Sequence, residues 1–430
     1  METRFMRIKK PRGIHSMVWE TVTQTSLSIG IIGKTNVGKS TLFSALTMIP
    51  VKIENRPFVT LEPNVGVGYV RSRCPHKELG LPRCDARNSI CVEGNRFIPV
   101  KVIDVPGLIP GAHEGRGLGN KFLDSLRQAD ALLHVIDASG STDPEGKPAR
   151  PGSYDPYDDV VLIEREFDLW LSSIIMSDWS RLAKTLDTLP LSEAIERLAQ
   201  RLSGLSIKRH HVSRALKESG LSETRFSSWR SEEIYMFSST LRRISKPTII
   251  VANKADIPEA HDIIESLVRR LEGRIVIPAS AEAELALRRA SSAGLIKYLP
   301  GDSDYVVIDR GRITQAQERA LEKIRSVMMK WGGTGVQRAI NIAVFRALDM
   351  IVVYPVEDHI KLADSSGKIL PDALLVPRGT TARELAYMVH TELGDGFLYA
   401  IETRSRSRVG ADYVLNDMDI IKIVSARRKA

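Results

Sequence analysis

Cysteine is scarce in this chain of 430 residues: only Cys74, Cys84 and Cys91 are present. Three cysteines cannot form a disulfide framework, and a reducing compartment is the default expectation. Long apolar runs are missing too, and none approaches the length of a membrane span. The basic stretch from Met1 to Glu20 lacks the apolar segment of a secretory signal. Residues 1–26 are therefore expected to be a flexible extension of a cytoplasmic protein. The composition of a disordered chain is also missing, since 43% of residues are hydrophobic and 26% are charged. The length fits roughly three folded domains. A net charge of +9 is modest, and it suits either a solvated surface or a polyanionic partner such as RNA.

What is present starts with one loop. The apolar run Leu27–Ile32 leads into Gly33, Lys34, Thr35, Asn36, Val37, Gly38, Lys39 and Ser40, followed by Thr41 and an amphipathic start, Leu42–Leu46. Strand, glycine-rich loop and helix in this order form a hollow of backbone N–H groups at a helix N-terminus, which suits a polyphosphate. In such a loop Lys39 reaches the outer phosphates and the Ser40 hydroxyl ligates Mg²⁺. Asp104-Val-Pro-Gly107 follows a second strand, Val100–Ile103. There Asp104 can support Mg²⁺ and the Gly107 N–H can sense the γ-phosphate. Thr60, between these two motifs, is the candidate to close on Mg²⁺ and γ-phosphate.

The base is read elsewhere. Asn253-Lys-Ala-Asp256 follows a buried strand, Pro247–Ala252. The Asp256 carboxylate can accept both N–H bonds of guanine, a donor pair that adenine lacks. Asn253 would brace this site, and the Lys254 stem would cover the base face. Ser280 and Ala281, after another strand, fit a backbone contact to the guanine carbonyl. The expected ligand is GTP with Mg²⁺. Asn36 could add an oxygen to a monovalent cation such as K⁺. Catalysis is expected to be unusual: the position that holds a water-orienting Gln in Ras-type enzymes is Leu108. His113, on a glycine-rich loop, is the nearest candidate to position water. Cys74, His76, Cys84 and Cys91 have loose metal-like spacing, although Cys91 in a strand also suits a small buried hydrophobe.

The fold expected is α/β. The P-loop domain spans 27–156 and 246–347, with an all-helical insert at 157–245. Stripes of apolar residues mark the insert: Val160, Ile163, Phe167, Trp170, Leu171 and Ile174; Ile195, Leu198, Leu202 and Leu205; Ile234, Phe237, Leu241 and Ile244. Its basic residues, including Lys208, Arg209, Arg214, Lys217, Arg225 and Arg230, form either a solvated face or a partner-binding one. From Leu321 to Trp331 one face is apolar. Residues 348–430 read as a compact α+β module of β-grasp type, with a helix capped by Thr380.

The phosphate loop, the run Asp104–Phe122 and Pro57–Asn64 together resemble the Obg-related translation-factor GTPases. Gly119-Asn-Lys-Phe122 and the long helical insert favour the YchF (Obg-like ATPase) branch in its archaeal form. The tail, with Pro377-Arg-Gly-Thr-Thr and Leu415-Asn-Asp-Met-Asp-Ile420, is similar to a TGS domain. The resemblance implies a nucleotide-gated factor that associates with ribosomes or RNA. It also implies the apolar residue at Leu108 and a role for the loop histidine matched by His113. Many YchF-type members prefer ATP and have lost the guanine motif, whereas this chain keeps Asn253–Asp256, so GTP is expected. Alternatives are a nucleotide-gated binding protein with negligible turnover, an ATP-preferring Obg-like ATPase, or a Drg-type relative. The large insert argues against the last.

Overall fold

A computed structural model describes residues 27–48, 65–105 and 127–426. Seven strands form the central sheet: β1 (Ser28–Ile32), β2 (Val65–Arg73), β3 (Ile90–Val92), β4 (Asn95–Asp104), β5 (Ala131–Asp137), β6 (Thr248–Asn253) and β7 (Ile275–Pro278). Their spatial order is β2-β4-β1-β5-β6-β7, with β3 also paired to β4. The strands from β4 to β7 run parallel, whereas β2 and β3 lie antiparallel to β4. Parallel strands must be covered on both faces, and β1 and β5 are buried along their whole length. The carboxyl ends of β1, β4, β5 and β6 therefore open on one edge, where α/β sheets place ligands.

β2 was not legible in the sequence. Its two glycines, Gly66 and Gly68, lie against Phe43, Thr47 and Val102, so the strand lacks the side-chain alternation that would announce it. The β3–β4 hairpin was legible, and it turns through Glu93 and Gly94 at φ 51° and 85°, the two-residue connection that suits strand twist.

Five helices lie between β5 and β6: Pro156–Met176, Trp179–Leu186, Leu191–Arg201, Arg209–Glu218 and Ser231–Ser245. The first starts with Asp155 as its cap and Pro156 in its first turn, both favoured there. The expected stripes do converge. Ile163, Phe167, Trp170, Leu171, Ile195, Leu198, Leu202, Leu205, Ile234, Phe237 and Leu241 share one core, with Ile174 and Ile244 packed at its margin. Val160 instead packs beside β5 and β6. Trp179, Phe226, Trp229 and Phe237 meet ring to ring within this core. The core continues onto Ile32, Ile103, Val105 and Leu132 of the sheet, so the helices cover one sheet face. All six named basic residues of this segment are exposed, but Arg214 pairs with Glu218 at 2.7 Å and Arg209 lies 3.9 Å from Glu196.

After β7 come helix Ala281–Ser292, the short pair β8 (Ile296–Lys297) and β9 (Val306–Val307), helix Gln315–Trp331, and helix Val336–Ile342, which ends in a π-turn over Ala343–Ala347. Leu321, Ile324 and Met328 pack around Tyr298 and Tyr305. Trp331 belongs to a different cluster, and its indole N–H donates to the Ala255 carbonyl at 3.3 Å.

The C-terminal sheet contains β10 (Met350–Val356), β11 (Leu374–Pro377), β12 (Phe397–Glu402), β13 (Ser407–Val409) and β14 (Ile420–Ser425) in the order β11-β10-β14-β12-β13. Helix Ala382–Val389 covers one face, the β-grasp arrangement. The cap of this helix is Thr381, not Thr380. Thr381 Oγ accepts from the Glu384 N–H while the Glu384 carboxylate accepts from the Thr381 N–H, a reciprocal box one residue later than expected. Thr380 Oγ donates to the Pro377 carbonyl instead.

His134, on β5, is fully buried, and neither ring nitrogen has a partner among the described residues. Burial, with Arg242, Lys39 and Arg274 adding repulsion, lowers its pKa from 6.5 to about 3. The unfolded chain takes up this proton below pH 6.5 and the folded chain does not, so acidification from there removes stability. His134→Leu is expected to flatten that part of the pH profile, by up to about 1.4 kcal/mol per pH unit. Urea denaturation between pH 5 and 7.5, compared for the two proteins, measures it.

Candidate nucleotide site

The glycine-rich loop joins the carboxyl end of β1 to helix Lys39–Thr47. Gly38 precedes the helix at φ 98°, a left-handed conformation, and a Cβ there would collide with Asn253 Nδ2. Lys39 is buried, and its Nζ donates to the Lys34 carbonyl at 2.6 Å, folding the ammonium back across the loop. Burial lowers the Lys39 pKa, and the nearby Asp104 charge opposes that. Ser40 Oγ lies 3.3 Å from Asp104 Oδ2 at the end of β4. Asp104 Oδ1 is buried with no hydrogen-bond partner among the described residues. Burial raises the Asp104 pKa, while Lys39 and then Ser40 pull it down. A hydroxyl beside a desolvated carboxylate with an orphaned oxygen fits a hard divalent cation such as Mg²⁺. Thr41 is half-buried in the first helical turn. Thr60, Gly107, Leu108 and His113 lie outside the described residues.

The expected base-reading residues are brought to the same edge. Asn253, at the end of β6, acts in two directions. Its Nδ2 donates to the Val37 carbonyl at 2.8 Å, and its Oδ1 accepts the Ala281 N–H at 3.0 Å. Ser280 Oγ donates to Asp256 Oδ1 at 2.7 Å and accepts the Ala283 N–H, so one hydroxyl both orients Asp256 and caps helix Ala281–Ser292. Lys254 adopts φ 63°, and its Nζ sits 2.8 Å from Asp137 Oδ2. That ion pair fixes the Lys254 stem.

Asp137 was not singled out from the sequence. It is buried at the end of β5 and accepts from Ser139, Ser141, Thr142 and Lys254. Burial alone would raise its pKa, yet these bonds together hold it below the usual carboxylate range. The segment it organises then closes on the phosphate loop. Lys34 Nζ donates to the Thr142 carbonyl at 2.8 Å and pairs with Asp159 at 2.9 Å. Asn36 Nδ2 donates to the Gly146 carbonyl at 2.7 Å, and Thr35 Oγ1 to the Glu145 carbonyl at 3.3 Å. An acid ending a buried strand, followed by Ala-Ser-Gly-Ser-Thr, was the available signal.

A phosphate loop, an adjacent hydroxyl–carboxylate pair and an Asn-Lys-x-Asp unit at the carboxyl edge of a parallel sheet define a P-loop GTPase, here followed by a TGS domain. Three family profiles match the chain accordingly. One described as 50S ribosome-binding GTPase covers residues 28–160; the Obg-like GTPase YGR210-like, G4 motif-containing domain covers 251–358; the TGS domain covers 367–425. An uncharacterized GTP-binding protein of Methanocaldococcus jannaschii is 51% identical over 400 residues, 93% of this chain and 99% of the relative. The ribosome-binding ATPase YchF of Haemophilus influenzae is 31% identical over 283 residues, 63% of this chain and 69% of the relative. A crystal structure of a GTP-binding protein from Pyrococcus horikoshii matches with a TM-score of 0.74 at 40% identity, over 93% of this chain and 100% of that one. The Schizosaccharomyces pombe YchF GTPase shares the fold, with a TM-score of 0.51 at 17% identity, over 93% of this chain and 98% of that one. The chain belongs to the Obg-like/YchF GTPase family. Among the described residues, no helix is long and apolar enough to cross a membrane.

Gly38→Ala is expected to lower nucleotide affinity at least tenfold, about 1.4 kcal/mol, because its Cβ would displace Asn253 from Val37. Titration with a fluorescent guanine nucleotide, with circular dichroism to check folding, measures it.

Proposed function

We propose that this protein is a cytoplasmic, GTP-preferring switch that hydrolyses GTP slowly and uses its nucleotide state to govern association with ribosomes or RNA. The observation that carries the GTP reading is the Ser280–Asp256 contact, held on the same Asn253 that braces the phosphate loop. A carboxylate oriented this way matches the guanine donor pair and leaves an adenine amino group badly matched.

In this reading Ser40 and Thr60, with Asp104 in support, would hold a Mg²⁺ ion, which would supply positive charge to offset that of the phosphates. Gly33 to Thr41 surround the phosphates. Lys39 exchanges its bond to the Lys34 carbonyl for the β/γ-phosphate oxygens, and its burial makes that charge strongly felt. Gly107 senses the γ-phosphate, and Leu108 leaves the water-positioning role to His113. Asn36 is the candidate ligand for K⁺. In this reading the P-loop domain takes 27–156 and 246–347, the helical insert 157–245 and the TGS domain 348–430. Relatives named for ribosome binding and the exposed basic residues of the helical segment support a ribosomal or RNA partner.

A second reading keeps ATP as substrate, because relatives such as human Obg-like ATPase 1, 27% identical over 431 residues, carry that name. Competition of GTP and ATP for a labelled guanine nucleotide decides between them. Asp256→Asn is expected to cost GTP about 2–3 kcal/mol of binding and ATP little. Equal competition by both nucleotides overturns the GTP reading. His113→Ala is expected to lower turnover and leave nucleotide affinity unchanged; unaltered turnover removes that role. Ribosome co-sedimentation with a GTP analogue, GDP or no nucleotide tests the switch, and identical binding in all three states overturns it. Ribosome-stimulated single turnover separates the enzyme from a binding module with negligible hydrolysis.

A further inference from the structure

Away from the nucleotide site, the three cysteines and His76 converge. Cys74 follows β2, His76 stands on the helical turn Pro75–Glu78, Cys84 lies in the next loop, and Cys91 is on β3. One ligand atom from each falls within 4.8 Å of all the others. Cys74 Sγ and Cys84 Sγ are 3.7 Å apart, and Cys91 Sγ is 3.6 Å from His76 Nδ1. Four ligands placed tetrahedrally about 2.3 Å from one ion would be separated by about 3.7 Å. No disulfide joins the cysteines. The spacing suits a single ion and is too tight to surround a multi-iron cluster. Cys91 is only half-buried, and its sulfur faces a histidine nitrogen, which does not suit the reading of a small core hydrophobe.

Arg96 supplies an independent observation. Its side chain is fully buried, yet among the described residues no carboxylate pairs with it. Its Nη1 points at Cys84 Sγ at 3.3 Å and lies 3.9 Å from Cys74 Sγ. A buried guanidinium needs a counter-charge. Three thiolates on one divalent ion leave one net negative charge, which Arg96 would neutralise while donating to the sulfurs, as outer groups around metal sites do.

We propose that Cys74, His76, Cys84 and Cys91 form a mononuclear, tetrahedral zinc site that holds residues 79–91 in the shape that docks the TGS domain. The loop between the ligands reads the backbone of 369–373 by paired bonds. Asp85 N–H donates to the Ile369 carbonyl at 2.8 Å and Arg87 N–H to the Pro371 carbonyl at 2.7 Å. Asn88 exchanges two bonds with Ala373, at 3.1 and 3.0 Å. Arg96 Nη2 reaches the Leu370 and Pro371 carbonyls at 2.8 and 2.9 Å, linking the sulfurs directly to the same segment. A closed set of three cysteines and one histidine, with no position left for water or substrate, is a structural zinc site.

The test uses the full chain expressed with added zinc and purified under reducing conditions without chelator. Elemental analysis is expected to find about one zinc per chain, lost in Cys84→Ser and in Cys91→Ser. Should those variants fail to fold, cobalt exchanged into the unmodified protein decides: thiolate-to-cobalt charge-transfer bands and intense tetrahedral d–d absorption are expected. Chelation is expected to raise hydrogen exchange in 79–91 and 369–373 and to leave 33–40 unchanged. Zinc-free protein whose three thiols all react freely with a disulfide reagent, a Cys74–Cys84 disulfide found by mass spectrometry, or an octahedral cobalt spectrum would overturn the proposal.

Discussion

The two hydrogen bonds of the Asn253 side chain tie the nucleotide edge together. One amide, buried at the end of β6, holds the phosphate loop through the Val37 carbonyl and the Ser280–Ala281 segment through the Ala281 N–H. The amide serves both because it carries a donor and an acceptor on one short planar head. The consequence is that the glycine-rich loop and the Asn253–Asp256 and Ser280–Ala281 segments, more than two hundred residues apart in sequence, cannot shift independently. Lys254 extends the same connection to Asp137, and through Asp137 to the segment that lies against Lys34, Thr35 and Asn36.

Burial gives these polar groups their strength. Lys39, Asp104 and Asp137 all sit where water is scarce, and each is shifted by that loss of solvent before any neighbour acts. Asp137 is held ionised by donors from four residues. Asp104 has few, and keeps one oxygen with no described partner. The contrast separates a carboxylate that builds the site from one poised to meet a ligand.

The C-terminal domain is not a loosely tethered appendage. Strand β10 is buried on both faces: Ile351 and Val353 pack under helix Ala382–Val389, while Val352, Tyr354 and Val356 join the core that contains Ile29, Ile31 and Leu46. Period-two alternation thus serves two cores at once. The same surface carries the Cys/His cluster and Arg96, whose guanidinium lies 5.7 Å from the Tyr354 ring. The P-loop core and the TGS sheet are therefore packed together without a break.

The P-loop GTPase class was determined by the sequence by itself, because short motifs carry their own geometry. Gly33–Ser40 predicts a phosphate hollow wherever a strand and a helix flank it, and Asn253–Asp256 predicts a guanine reader. The helical stripes and most strands were likewise legible, since periodicity is a local property. Tertiary structure decided what depends on distant neighbours. Asp137 gains its role only when Lys254, more than a hundred residues away, joins the donors Ser139, Ser141 and Thr142 of the loop that follows it. β2, with its two glycines, became a strand only against β4 and helix Lys39–Thr47. The cap of Ala382–Val389 fell on Thr381 because a reciprocal bond with Glu384 outweighed a match one residue earlier. Three thiols and one imidazole at irregular spacing converged only when β2, β3 and the intervening loop were folded together, since side-chain convergence in space is not encoded by spacing along the chain.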